Sequence, residues 1–170
     1  MIFSENFYRV GKPGDLEYNA SIASVYKGET GGSRQKQEHG GETKTAMKYI
    51  TFAIPCYNSE EYMEHAINSI LPAGEDVEVL VVNDGSKDQT AEIGKRYEAM
   101  YPGIVRVIDK ENGGHGDAVN AGLSQASGVY FKVVDSDDWV DEEALMKILN
   151  KVREFVRTES VVDMIISNYV

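Results

Sequence analysis

Five apolar runs of strand length dominate the chain from residue 49 onward: YITFAI (49–54), VEVLVVN (77–83), IVRVID (104–109), VYFKVV (129–134) and VVDMIIS (161–167). Their centres repeat at about 25 to 35 residues, the length of a strand–helix–strand unit. The runs are too continuously apolar to keep one face in water, which is the pattern of parallel strands covered on both sides. Helical periods lie between them. Over 141–157, Leu145, Ile148, Leu149, Val152 and Val156 share one face, and Asp141, Glu142 and Glu143 sit in the first turn, where the helix dipole favours them. Ile93, Tyr97 and Met100 form a second stripe, ended by Pro102-Gly103. Ala118, Ala121 and Gly122 make a face of small residues that lets a helix lie close to a sheet. The expected fold class is α/β, a mostly parallel, Rossmann-like sheet with helices on both faces.

Ahead of this region the pattern changes. Residues 28–48 are rich in glycine and polar side chains without periodicity and read as a flexible linker. Residues 1–27 carry scattered apolar side chains, too many for a linker and too few for a domain, so they are expected to be an arm that docks on the domain or on a partner. The domain itself is placed at 49–170.

Charge narrows the function. The net charge of −11 is uneven: residues 1–48 hold seven basic and six acidic side chains, whereas residues 49–170 hold ten basic and twenty-two acidic, leaving −12 on the domain. Such a domain repels polyanions, so nucleic-acid binding is not expected. A phosphate ligand would have to be held by backbone amides, helix amino termini and a metal cation. No run approaches the roughly 18 apolar residues of a membrane span, and the amino terminus lacks a signal-peptide pattern. The single Cys56, read as a small buried side chain at a strand end, agrees with a reducing compartment. The expected location is cytoplasmic, with the inner face of the membrane as the site of a longer protein.

In an open parallel sheet, ligands bind beyond the carboxyl ends of the strands. The first four runs are followed there by Pro55-Cys56-Tyr57-Asn58, Asn83-Asp84-Gly85-Ser86, Glu111-Asn112-Gly113-Gly114-His115-Gly116 and Asp135-Ser136-Asp137-Asp138-Trp139. In an extended segment Asp135 and Asp137 face the same way, with Asp138 facing away or capping the next helix. Two carboxylates suit Mg²⁺ or Mn²⁺, which take oxygen ligands and complete their shell with phosphate and water. A solvated acidic turn is the alternative. The glycine run lacks the dinucleotide fingerprint, because Val119 stands at its last glycine position, so a dehydrogenase is disfavoured. Gly113 and Gly114 either let backbone approach a ligand or form a mobile loop. His115 contacts phosphate or acceptor, or makes a local helix-start hydrogen bond. Tyr57 stacks on a base or packs at the rim.

These motifs, PCYN, NDGS, KENGGHG and DSDDW in this order and spacing, resemble the family-2 glycosyltransferases of the A-type fold, and the match runs from about Tyr49 to Val170. The resemblance implies that the chain is the donor-binding half of a metal-dependent glycosyltransferase using a nucleotide sugar, expected to be a UDP-sugar, in cell-surface polysaccharide synthesis. It implies that Tyr57 and the Asn83-Asp84 pair hold the uracil. Asp135 is placed near the ribose, and Asp137 on the divalent metal, Mn or Mg, with Asp135 beside it. Pro55, Asn58, Ser86, Asn112, Gly113, Gly114, His115 and Ser136 are carried over with their motifs as further donor contacts. Asn83 departs from the aspartate common in relatives; its oxygen still accepts from uracil, while its amide adds donors.

The acceptor is unassigned among carbohydrate, lipid and protein. The resemblance puts the general base and acceptor site beyond Val170. The expectation is therefore a domain truncated after its fifth strand, with no catalytic residue inside it and no transfer by the chain alone. The rival from another class is a non-catalytic nucleotide-sugar-binding module. A phospho-receiver domain is disfavoured because Pro55-Cys56-Tyr57-Asn58 occupies the place of its aspartate.

Overall fold

Beyond residue 49 branched and aromatic side chains fill the strands, and a helix intervenes between each strand and the next, so these strands run in one direction. The computed structural model describes residues 6–9, 47–159 and 162–166. The chain divides into one unit of residues 1–10 with 48–170 and a second of residues 11–47; apart from Met47, the second lies outside the described residues. Most of the expected arm and linker therefore falls outside them too.

In chain order, β1 is Asn6–Arg9, β2 Ile50–Cys56 and α1 Met63–Ile70, followed by a 3-10 segment over Leu71–Asp76. Then come β3 Val77–Asp84, α2 Thr90–Met100, β4 Val105–Lys110, α3 His115–Gln125, β5 Tyr130–Val133, α4 Glu142–Arg157 and β6 Met164–Ile166. The strand order is β4-β3-β2-β5-β1-β6. The four strands from β4 to β5 are parallel, and β1 runs antiparallel to both β5 and β6. Strand order reverses at β2, which pairs with β3 on one side and with β5 on the other.

Neighbouring residues of β3 show the two faces. Val81 meets α2 at Gly94, while Val82 meets α3 at Gly122. A Cβ on Gly122 would come within 2.9 Å of the Ala53 Cβ, so the small-residue face of α3 is what allows this helix to lie against β2. On α4, Leu145, Leu149 and Val152 are buried as their spacing predicts while Ile148 and Val156 are half-buried, and Asp141 is the amino-terminal cap, accepting from the Ala144 N–H at 2.8 Å. On α2, Ile93 and Tyr97 are buried but Met100 is exposed; Thr90 and Gly94 complete the inward face in its place.

Two features sharpen the sequence expectation. Residues 6–9 of the arm are part of the sheet: Phe7 is 1% exposed, meets Phe52 edge-on at 6.1 Å, and lies 5.5 Å from the Lys132 ammonium. Burying such a ring is worth about 1.5–3 kcal/mol. The strand within the run at 161–167 points the same way as β2 to β5 but does not pair with them, because β1 stands between it and β5. Among the described residues of this run Met164–Ile166 is strand, it pairs antiparallel with β1, and Met164 and Ile166 are exposed.

A polar knot lies where the parallel strands begin. Glu78 is buried, and its carboxylate accepts from the Thr51 hydroxyl at 2.9 Å, from the Ser127 N–H and hydroxyl at 2.9 Å each, and from Arg106 at 3.1 Å. The Gly128 N–H donates in turn to the Thr51 hydroxyl at 2.8 Å.

Candidate functional site

The reversal of strand order leaves a crevice between the segments that follow β2 and β5. A cleft of about 460 Å³ opens there, lined from the first loop by Pro55, Cys56, Tyr57 and Ser59, and from the fourth by Asp135, Ser136 and Asp137. Asp84, at the end of β3, and Asn112, Gly114, His115 and Ala118, around the start of α3, complete it. Among the described residues no lysine or arginine lines it.

Tyr57 is 51% exposed, so its ring is available to a flat ligand. Cys56 beneath it is buried, and that burial pushes its thiol up to about 12. It is not a nucleophile in this setting.

Asp84 is 3% exposed and heavily bonded. Its Oδ1 accepts from the Lys110 ammonium at 2.5 Å and the Gly113 N–H at 2.9 Å, and its Oδ2 from the Gly114 N–H at 2.8 Å. Burial opposes its ionisation, yet the Lys110 ammonium and the two amides outweigh that and hold the carboxyl below its ordinary range. The Asn112 side-chain amide adds a bond to the Asp84 carbonyl at 3.0 Å. The glycine run is thus bound to the end of β3. Gly85 permits the approach: its φ is +68°, and a Cβ there would meet the Asn112 nitrogen at 2.8 Å. Lys110 also reaches Asp117 at 2.7 Å.

Asn83, Asn58 and Ser86 stand apart from the cleft lining. Asn83 is buried, its Nδ2 donates to Asp109 at 2.9 Å, and its Oδ1 accepts from the Ser86 N–H at 3.1 Å. Asn58 Oδ1 accepts from the Lys87 N–H at 2.9 Å, and the Ser86 hydroxyl accepts from the Asn58 N–H at 3.0 Å. Through these bonds Asn58 and Ser86 tie the first loop to the second, and Asn83 ties the second loop to the end of β4. Gly113, through its bond to Asp84, likewise supports the wall formed by Gly114.

The acidic segment is a turn, closed by the Asp138 N–H to the Asp135 carbonyl at 3.0 Å, not the extended strand end that its alternation predicts. Asp135 and Asp137 both line the cleft nonetheless, and Asp138 does not. Asp138 is half-buried; burial, then the Asp137 and Asp135 charges, raise its carboxyl. It does not cap the next helix, because Asp141 does. His115, at the start of α3, places its Nε2 3.8 Å from Asp135 Oδ1.

Among the described residues no group of three or more His, Cys, Asp or Glu side chains is placed to hold an ion alone. Two exposed carboxylates on one cleft wall instead match a hard divalent cation that takes its remaining ligands from phosphate and water. Sequence reasoning missed Ser59 and Lys110. Ser59 is 4% exposed and follows directly on the PCYN motif, and Lys110 heads the KENGGHG motif.

Residues 51–162 match the family described as glycosyl transferase family 2. Glycosyltransferase GlyA of Streptococcus pneumoniae is 36% identical over 121 residues, which cover 71% of this chain and 16% of that protein. A crystal structure of S. aureus TarS 1–349 in complex with UDP aligns at 35% identity with a TM-score of 0.55, covering 62% of this chain and 32% of that one. The same TarS portion in complex with UDP-GlcNAc aligns equally well, with a TM-score of 0.55. The chain therefore spans about a sixth of GlyA and about a third of that TarS structure. The matched residues run through all four strand-end segments that build the cleft, and the chain belongs to glycosyltransferase family 2.

Proposed function

We propose that the cleft binds the nucleoside diphosphate of a sugar donor, a UDP-sugar, together with Mg²⁺ or Mn²⁺, and that the protein transfers the sugar to an acceptor. The observation that carries this reading is the make-up of the cleft: an exposed tyrosine, Asp135 and Asp137 on one wall, and no lysine or arginine among the described lining residues. A diphosphate entering an acidic domain at a cleft whose described lining holds no lysine or arginine needs a cation to offset its charge. Tyr57 is assigned to the base, Asp135 to the ribose side, and Asp137 to the metal. The bonded Asp84 forms the floor, with Asn112, Gly114 and His115 beside it. Pro55 and Ser136 flank the ligand. Asn58, Asn83, Ser86 and Gly113 act by supporting the loops. The UDP and UDP-GlcNAc complexes of TarS support the choice of donor.

A bound divalent ion would stabilise negative charge on the departing diphosphate. The protein's own part is to orient the donor and to keep the cleft walls in place. Of the carboxylates lining the cleft, Asp84 is engaged by Lys110 and two amides, and Asp135 and Asp137 are assigned to donor and metal. None is left to serve as a base.

The test is thermal unfolding with UDP. At about a hundredfold excess over Kd, UDP with Mn²⁺ should add roughly 2.7 kcal/mol to stability. No UDP stabilisation under any condition overturns the donor reading, and equal shifts with and without Mn²⁺, each against its metal-matched blank, overturn metal dependence alone.

A further inference from the structure

We infer that Ser59 is a positioning residue that couples the base-facing loop to the metal-facing turn, so that metal-dependent donor binding depends on a hydroxyl that need not touch the metal. The inference rests on the donor reading above. Ser59 belongs to the segment after β2 and bonds across to the segment after β5, the two that line the cleft from opposite sides. Its backbone N–H donates to the Thr90 hydroxyl at 2.8 Å, which anchors it to the start of α2. Its own hydroxyl accepts from the Tyr57 N–H at 3.1 Å and lies 2.9 Å from the Ser136 hydroxyl, 77 residues away in the chain. Ser136 is the residue between Asp135 and Asp137. One buried oxygen therefore bonds both to the backbone that carries the exposed tyrosine and to the centre of the acidic turn.

The direction of the effect follows from geometry. A turn of two carboxylates closed by one backbone bond has like charges to keep apart, and a hydroxyl contact from the opposite wall limits how far it can swing. Divalent ions such as Mg²⁺ demand near-ideal ligand placement, so freedom in this turn is read out as weaker ion binding. The Tyr57 N–H loses its acceptor when the hydroxyl is removed, so the base-facing loop is loosened by the same change.

The experiment uses the whole chain with UDP and MnCl₂. UDP affinity is measured by calorimetry at several Mn²⁺ concentrations for the wild type, Ser59→Ala, Ser136→Ala and the double variant, and unfolding midpoints are recorded for each. Ser59→Ala and Ser136→Ala should each weaken UDP binding about three- to tenfold, the range of one hydrogen bond. Each should also raise the Mn²⁺ concentration giving half-maximal UDP binding, and the double variant should be no worse than the poorer single one. Single-variant losses that multiply in the double variant, or an unchanged Mn²⁺ requirement with only a lower unfolding midpoint, overturn the coupling. If Ser59→Ala does not fold, Ser136→Ala on the open side of the contact carries the same Mn²⁺ prediction, and its failure overturns the inference equally. Wild-type protein that ignores UDP at every Mn²⁺ concentration rejects the donor reading itself, whereas wild-type binding with unaltered variants rejects only the role of Ser59.

Discussion

Replacing Asp137 by asparagine and, separately, Asp138 by asparagine removes one negative charge from adjacent positions with almost no change of shape. Only Asp137 lines the cleft. A carboxylate oxygen about 2.1 Å from a divalent ion gains roughly 4 kcal/mol even at the dielectric constant of water. Asparagine keeps an oxygen ligand, and dehydration of the carboxylate offsets part of the gain. The loss from Asp137→Asn should therefore be at least about 1.4 kcal/mol, or tenfold in UDP affinity at a fixed Mn²⁺ concentration. Asp138 is half-buried and held apart from the cleft, and its burial, then the charges of Asp137 and Asp135, already work against its ionisation. Losing its charge relieves repulsion. UDP affinity in Asp138→Asn should stay within about twofold, the span of a few tenths of a kcal/mol. Calorimetric titration of UDP into each variant with Mn²⁺ held constant reads the contrast directly. Equal losses at the two positions would refute the metal-ligand argument in favour of a general charge effect, and a larger loss at Asp138 would place the metal ligand one residue further along.

Two further outcomes follow from Asp84 and Cys56. Because the native Asp84 carboxyl is held below its ordinary range, its stabilising contribution should be complete above the unfolded value of about 3.9 and be lost as pH falls through the lower native value. The difference in urea midpoint between wild type and Asp84→Asn should thus shrink below about pH 4, and a difference that is constant from pH 3 to 6 would contradict the sign. Cys56, buried and pushed up to about 12, should resist an aromatic disulfide reagent at pH 8 in the native protein and react at once in denaturant; rapid native labelling would show that the end of β2 opens.

The parallel core was legible because its signal is strong and local: β2, β3, β4 and β5 all begin within one residue of the apolar runs that predict them. What pattern could not reveal was pairing across distance. Residues 6–9 show too little alternation to announce a strand, and they become one because β5 offers an open edge and Phe52 a surface for Phe7. The 161–167 run looks like its predecessors and its residues 164–166 run in their direction, but they pair with β1, which stands between them and β5. At the site, motif positions were readable while the work of individual side chains was not. Asn83, Asn58 and Ser86 spend their polar groups on neighbouring loops, a choice set by partners some thirty residues away. The acidic segment shows the limit of alternation: Asp135 and Asp137 share the cleft through a turn, not through an extended strand. Ser59 carried no signal of its own, since its meaning lies in Ser136, 77 residues later.

The polar knot around Glu78 has a consequence at the far end of the sheet. ITFAI and VEVLVV offer many nearly equivalent apolar pairings, and a slip of two residues would leave every side chain on its proper face. Such a slip would, however, separate Glu78 from Thr51, its partner in the native alignment, and bury a carboxylate with part of its bonding unmet. The penalty, on the order of several kcal/mol, makes Glu78 an index mark for the sheet. Because strands are rigid rods, the alignment set where they begin decides which residues emerge where they end. A buried acid that no ligand reaches thus keeps Tyr57 and Asp84 at matching heights on the opposite rim.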